Sequence, residues 1–94
     1  MFTLSEENYL KAIYHLEAFS GKGISTNAIA EKVDAKASSV TDMVKKLADK
    51  EVLFYKKYRG VTLSDLGNKI AISVIRKHRL WELFLVEKLN FSWD

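Results

Sequence analysis

Side chains with the types and spacing to do chemistry fall in two places. The first runs Lys36, Ser38, Ser39, Thr41, Asp42, Lys45 and Lys46; the second is Lys56, Lys57 and Arg59 beside Gly60. Both suit a polyanion. Small hydroxyls at the start of a helix approach bases or phosphates closely, where free backbone N–H groups and the helix dipole already favour negative charge. An aspartate repels phosphate but accepts from the amino group of cytosine, and lysines one turn later reach a nucleic-acid backbone. Covalent chemistry has no such cluster. His15 and His78 are far apart, cysteine is absent and no glycine-rich phosphate loop occurs, so no nucleophile and base can be paired and an enzyme is not expected.

These residues need elements to hold them. A chain of 94 residues suits one domain, and 48% apolar residues supply a core. Without cysteine there is no disulfide framework or thiolate zinc finger, so packing must hold the fold. Proline is also absent and glycine occurs only at 21, 23, 60 and 67, which permits long helices. Ser5 reads as an N-cap for a helix over about 5–20, with Tyr9, Leu10, Ile13, Leu16 and Phe19 at spacings of three and four before Gly21. A two-turn helix follows from Ser25 or Thr26 to Val33, burying Ala28, Ile29 and Val33, and Asp34-Ala35-Lys36 breaks the chain. The third helix, about 37–50, turns Val40, Met43 or Val44, and Leu47 inward. Residues 52–57 and 61–63 are β-branched and aromatic around Tyr58-Arg59-Gly60, a hairpin. Ser64 then caps a helix to about Leu89 carrying Leu66, Ile70, Val74, Trp81 and Leu85.

The fold class is therefore mainly α with a small β-hairpin: a winged helix-turn-helix over 1–64, followed by a long helix in 65–94. In that arrangement the third helix enters the major groove of double-stranded DNA and the hairpin tip meets phosphate or the minor groove. The candidate contacts are Thr26, Lys36, Ser38, Ser39, Thr41, Asp42, Lys45, Lys46, Lys57 and Arg59. A blander reading has Ser38 and Ser39 capping the helix and the lysines forming a solvated face. The charge distribution favours contact. The chain carries +3 overall, made of −2 in residues 1–31, +4 in 32–59 and +1 in 60–94, so a polyanion meets the middle first. No apolar run spans a bilayer and the N-terminus has no basic or apolar leader region, so a cytoplasmic protein is expected.

Five stretches carry a family resemblance. Ser5 to Tyr14, Ile29-Ala30-Glu31-Lys32, Ser38-Ser39-Val40-Thr41, Tyr58-Arg59-Gly60-Val61-Thr62-Leu63 and, most specifically, Ile75-Arg76-Lys77-His78-Arg79-Leu80 resemble the diphtheria toxin repressor family of metal-dependent transcriptional repressors, its manganese transport regulators included. The resemblance runs the length of the chain. It implies a homodimer that binds a palindromic operator when loaded with Fe2+ or Mn2+ and shuts down metal-uptake genes.

The same resemblance implies where metal would bind. The position of His78 is a ligand in the family, and in the iron-sensing branch the position of Glu82 joins it; such a pair shares one helix face and offers a nitrogen and an oxygen to a borderline divalent cation. Asn8 stands at a first-helix ligand position that is methionine in iron sensors and aspartate in manganese sensors, and Lys11 stands where manganese sensors have a further glutamate. Asparagine coordinates more weakly than a carboxylate, and a protonated lysine cannot coordinate. The expected metal site is thus His78, Glu82 and Asn8, with Mn2+ or Fe2+ as cofactor. The family's remaining ligands and much of its dimer interface lie beyond Asp94. Leu83, Phe84, Leu85, Val86, Leu89, Phe91 and Trp93 would leave apolar area uncovered in a monomer, which favours an excised N-terminal portion and dimerisation through the last helix and following segments. His15 reads as a surface residue, and Trp81 and Trp93 as core or interface anchors. Two other readings stay open: a winged-helix module for protein or RNA contacts, and a metal-independent regulator in which His78 and Glu82 are an ordinary surface pair.

Overall fold

The computed structural model describes residues 2–89. Phe91 and Trp93, both in the apolar run expected to need a partner, lie outside the described residues. Four helices and one hairpin follow in the order α1 (Leu4–Ser20), α2 (Thr26–Val33), α3 (Ala37–Asp49), β1 (Leu53–Lys56), β2 (Gly60–Leu63) and α4 (Asp65–Leu89). This is the expected winged helix-turn-helix with a long following helix.

The start of α1 differs from expectation. Its N-cap is Thr3, not Ser5: the Thr3 hydroxyl accepts from the Glu6 amide at 3.1 Å and the Glu6 carboxylate accepts from the Thr3 amide at 2.8 Å. This reciprocal pair satisfies two otherwise orphaned donors. At the other end the helix outruns the core, leaving Phe19 92% exposed instead of packed. α2 begins as expected, with the Ser25 hydroxyl accepting from the Ala28 amide, and closes at Asp34 in the left-handed region, φ 56°. That geometry lets α3 leave at once in a new direction.

Tyr9, Leu10 and Ile13 of α1, Ile29 of α2, Val40, Val44 and Leu47 of α3, Val52, Leu53, Val61 and Leu63 around the hairpin, and Ala71 of α4 form one core. On α3 it is Val44 that is fully buried, with Met43 beside the core. Leu66 at the start of α4 is half exposed and Ala71 takes the inward place. The hairpin is antiparallel with Leu53 opposite Leu63 and Lys56 opposite Gly60. Ile24 adds a bridge to Val61, exchanging bonds of 2.8 and 2.7 Å, which ties the wing to the segment before α2.

Two glycines allow these close approaches. Gly60 has φ 86°, and a Cβ there would meet the Ile24 carbonyl and the Gly23 backbone within 2.8 Å. At Gly67 a Cβ would fall 1.8 Å from the Val52 carbonyl oxygen, so α4 is seated on the backbone entering the hairpin. Ser64 fixes that junction, its hydroxyl donating to the Glu51 carbonyl and accepting from the Gly67 amide. Beyond Val74 the last turns of α4 leave the core, and Leu80, Trp81, Leu83 and Phe84 are exposed. The described helices are none of them long and apolar enough to cross a membrane.

Candidate nucleic-acid interface and the contact between α1 and α4

Burial of Val40, Val44 and Leu47 fixes the rotation of α3 about its axis. Turning the helix would return these side chains to water at roughly 1.5–3 kcal/mol each, so the opposite face is committed to solvent. That face presents Ser38, Ser39, Asp42, Lys45 and Lys46, with Lys36 at the N-cap, all exposed. The first turn carries no side-chain cap, so Ser38 and Ser39 do not serve the capping role of the blander reading. Thr41 is half buried and its hydroxyl donates to the Ala37 carbonyl at 3.1 Å.

The wing completes the surface. Arg59 donates its amide to the Lys56 carbonyl at 3.0 Å, closing a turn in which Tyr58 has φ 71°. Lys57, Tyr58 and Arg59 project from it, and the Lys57 ammonium lies 5.4 Å over the Tyr58 ring. An open groove between the wing and the start of α2 is lined by Ser25, Thr26, Tyr55, Lys56, Tyr58 and Arg59 with Gly23 and Gly60. Thr26 and Arg59, apart in sequence, therefore line one groove, whereas Ser38, Ser39 and Asp42 lie on α3.

One residue of this region was not anticipated from the sequence. Glu6 is fully buried although charged, and its carboxylate takes the Lys50 ammonium at 2.7 Å and lies 3.9 Å from that of Lys46. The hydrogen bond from Lys50 and the one from the Thr3 amide outweigh the cost of burial and hold its pKa down to about 2 from 4.5. Glu6 thus anchors the basic end of α3 to α1. The signal was present as Thr3-Leu4-Ser5-Glu6, the spacing of a capping box. Tyr9 beside it has its phenol pushed up by burial.

A second polar cluster joins α1 to α4. The Glu7 carboxylate lies 2.7 Å from the Lys77 ammonium through one oxygen and 3.7 Å from His78 Nε2 through the other. His78 Nδ1 lies 3.3 Å from the Lys11 ammonium. Asn8 is exposed and lines a shallow depression with Lys11, Ala12, His15, Lys32 and Val33, and Glu82 is exposed on α4. Neither is among the polar partners of His78. No three His, Asp or Glu side chains among the described residues lie close enough together to hold a metal ion. With an ammonium already on the ring nitrogen, the residues here do not fit a divalent cation. His15 is exposed, its ring edge-on to Tyr14, and Trp81 stacks on Phe84 with ring centres 5.3 Å apart.

Comparison with known proteins bears on both clusters. Residues 1–61 match the family model described as "Iron dependent repressor, N-terminal DNA binding domain", and residues 64–94 match "Iron dependent repressor, metal binding and dimerisation domain". The HTH-type transcriptional regulator MntR of Oceanobacillus iheyensis is 44% identical over 86 residues, which cover 90% of this chain and 57% of that regulator. The chain thus spans somewhat over half the length of the curated relatives it matches. Among solved structures, the manganese regulator SloR superposes with a TM-score of 0.80 at 42% identity, over 97% of this chain and 42% of that one. ScaR with bound Zn2+ superposes with a TM-score of 0.75 at 39% identity, over 93% and 40%. MntR and SloR are regulators by name.

Proposed function

Since this chain belongs to the iron-dependent repressor family, we propose that it is the DNA-binding part of a metal-dependent transcriptional repressor that acts in the cytoplasm, as a homodimer, on a palindromic operator of metal-uptake genes. The observation that carries this reading is the exposed polar face of α3, held by three buried apolar residues and continued by the basic wing.

In the complex α3 lies in the major groove. Ser38 and Ser39 at its N-terminal end meet base edges or phosphates, Asp42 accepts from a cytosine amino group, and Lys36, Lys45 and Lys46 bind the flanking phosphates. Thr41 contributes close van der Waals fit. Lys57 and Arg59 follow the backbone or the minor groove on one side, and Thr26 meets phosphate across the groove they share. Residues 1–64 form the reading unit, and 65–94 begin the dimerisation and sensor region. Trp81, Leu83 and Phe84 of α4 pair with a second copy, together with segments beyond Asp94. The repressor responds to Mn2+ or Fe2+. Within this part His78, Glu82 and Asn8 were the expected ligands; their arrangement supports no complete donor set, so the response needs donors outside residues 2–89.

Fluorescence anisotropy of labelled duplexes tests the reading. A duplex from upstream of a metal-transport gene is compared with a scrambled one, at several salt concentrations, with Mn2+, Fe2+ or EDTA. Selective, steeply salt-dependent binding supports it. Equal, weak binding to both duplexes would leave a winged-helix module for other partners.

A further inference from the structure

We infer that the Lys11 ammonium acts as a built-in cation between α1 and α4, so that His78 ties these helices together without a divalent ion and the metal response of this protein is carried elsewhere. The proposal deepens the repressor reading and rests on it, because only in such a repressor does a cation at this place have a regulatory meaning.

A lysine ammonium has three N–H donors and no acceptor, so its approach to His78 Nδ1 at 3.3 Å requires that nitrogen to present its lone pair. A ring proton is then carried by Nε2, which faces Glu7 Oε1 at 3.7 Å. The other Glu7 oxygen is taken by Lys77 at 2.7 Å. Every group here that might ligate an ion is thus already engaged with a proton or a positive charge. A divalent cation needs a ring lone pair and a carboxylate within about 2.0–2.3 Å, and the lone pair lies under the ammonium. The two positive charges would compete for one place.

Glu7 and Lys11 are one turn apart on α1, Lys77 and His78 adjacent on α4, so four residues from two helices meet in one patch. The side chains of Glu7 and His78 are only 16% and 20% exposed, which limits screening by water. The Lys11 ammonium occupies the side of the His78 ring where an ion bridging the two helices would have to sit. The tie between α1 and α4 is then permanent, and adding or removing metal does not loosen it at this point.

The test reads His78 directly. Nitrogen-labelled protein is titrated with Cd2+ enriched in a magnetically active isotope, whose scalar coupling to an imidazole nitrogen appears only on direct coordination. The wild type is expected to show the Nε2–H tautomer and no coupling at His78 with one equivalent of Cd2+. Lys11→Glu, which restores a carboxylate and removes the ammonium, is expected to show coupling at His78 and to bind Cd2+ about tenfold more tightly or better. Lys11→Gln guards against a charge-reversed protein that fails to fold: it is expected to change the tautomer balance of His78 in the absence of metal. Coupling at His78 in the wild type, or identical His78 spectra in the wild type and Lys11→Gln, would overturn the inference. Operator binding measured on the same samples separates the two readings. Loss of selective DNA binding counts against the repressor, whatever the imidazole shows; metal-dependent DNA binding with a silent His78 supports both.

Discussion

Adjacent carboxylates on α1 look in different directions and meet different fates. Glu6 turns toward α3, is fully buried and holds Lys50 and Lys46; Glu7 turns toward α4, keeps some exposure and holds Lys77 beside His78. Both are acids facing two basic residues across a helix contact. The difference lies in what else each satisfies. Glu6 also accepts the Thr3 amide, so one carboxylate caps α1 and pins α3, whereas Glu7 makes side-chain pairs only. A fully buried charge that serves backbone and side chains together becomes structural, and one that pairs with side chains alone contributes less to the fold.

The largest effect should come from removing the buried partner. Glu6→Ala leaves Lys50 unpaired, opens the cap and creates a void, and should cost about 3 kcal/mol in urea unfolding. Glu7→Ala should cost less than about 1 kcal/mol. Equal losses would erase the distinction between the two faces.

Acid should separate them in the same order. The folded-state pKa of Glu6 is depressed from 4.5 to about 2, so its contribution is complete above the unfolded value and is lost as pH falls from the unfolded value toward about 2. Urea midpoints measured between neutral pH and pH 3 should fall steeply in the wild type and more gently in Glu6→Gln. Parallel slopes would mean that Glu6 is not the group that titrates.

The wing and the basic end of α3 come next. Arg59→Ala removes a cation at an exposed turn that the proposed function places on phosphate, and should weaken all duplexes, lowering the salt slope by about one. Lys46→Ala should do less. Its ammonium is already 3.9 Å from Glu6, so part of its charge is spent within the protein. Anisotropy across a salt series checks both, and a larger loss for Lys46→Ala would show that the Glu6 contact gives way on DNA.

Much of this architecture is written in apolar spacing. Periodicity gave the four helices and the hairpin because Val40, Leu47, Val61 and Leu63 stand where a winged core needs them. Phe19 and Leu66 misled, since periodicity continues past the point where neighbouring elements end. The exposed polar face of α3 was legible because its residues lie within one short amphipathic helix. Partners that meet across long sequence separations were not: Lys11 with His78 and Glu6 with Lys50 are fixed only by the packing of α1 on α4 and α3. The metal expectation at His78, Glu82 and Asn8 came from resemblance, and neither resemblance nor spacing reports that Lys11 lies beside the His78 ring.

The smallest expected change is also the most specific. Asp42 is exposed on the face of α3 that Val40, Val44 and Leu47 hold outward. An acid there repels phosphate, and its removal should therefore raise non-specific affinity slightly while losing the acceptor that distinguishes one base. Asp42→Ala should relax preference at a single operator position by about 1 kcal/mol and leave the salt slope within error of the wild type. A panel of duplexes mutated at each position reads this directly. A uniform loss across the panel would place Asp42 in the support of α3 and shift base reading to Ser38 and Ser39.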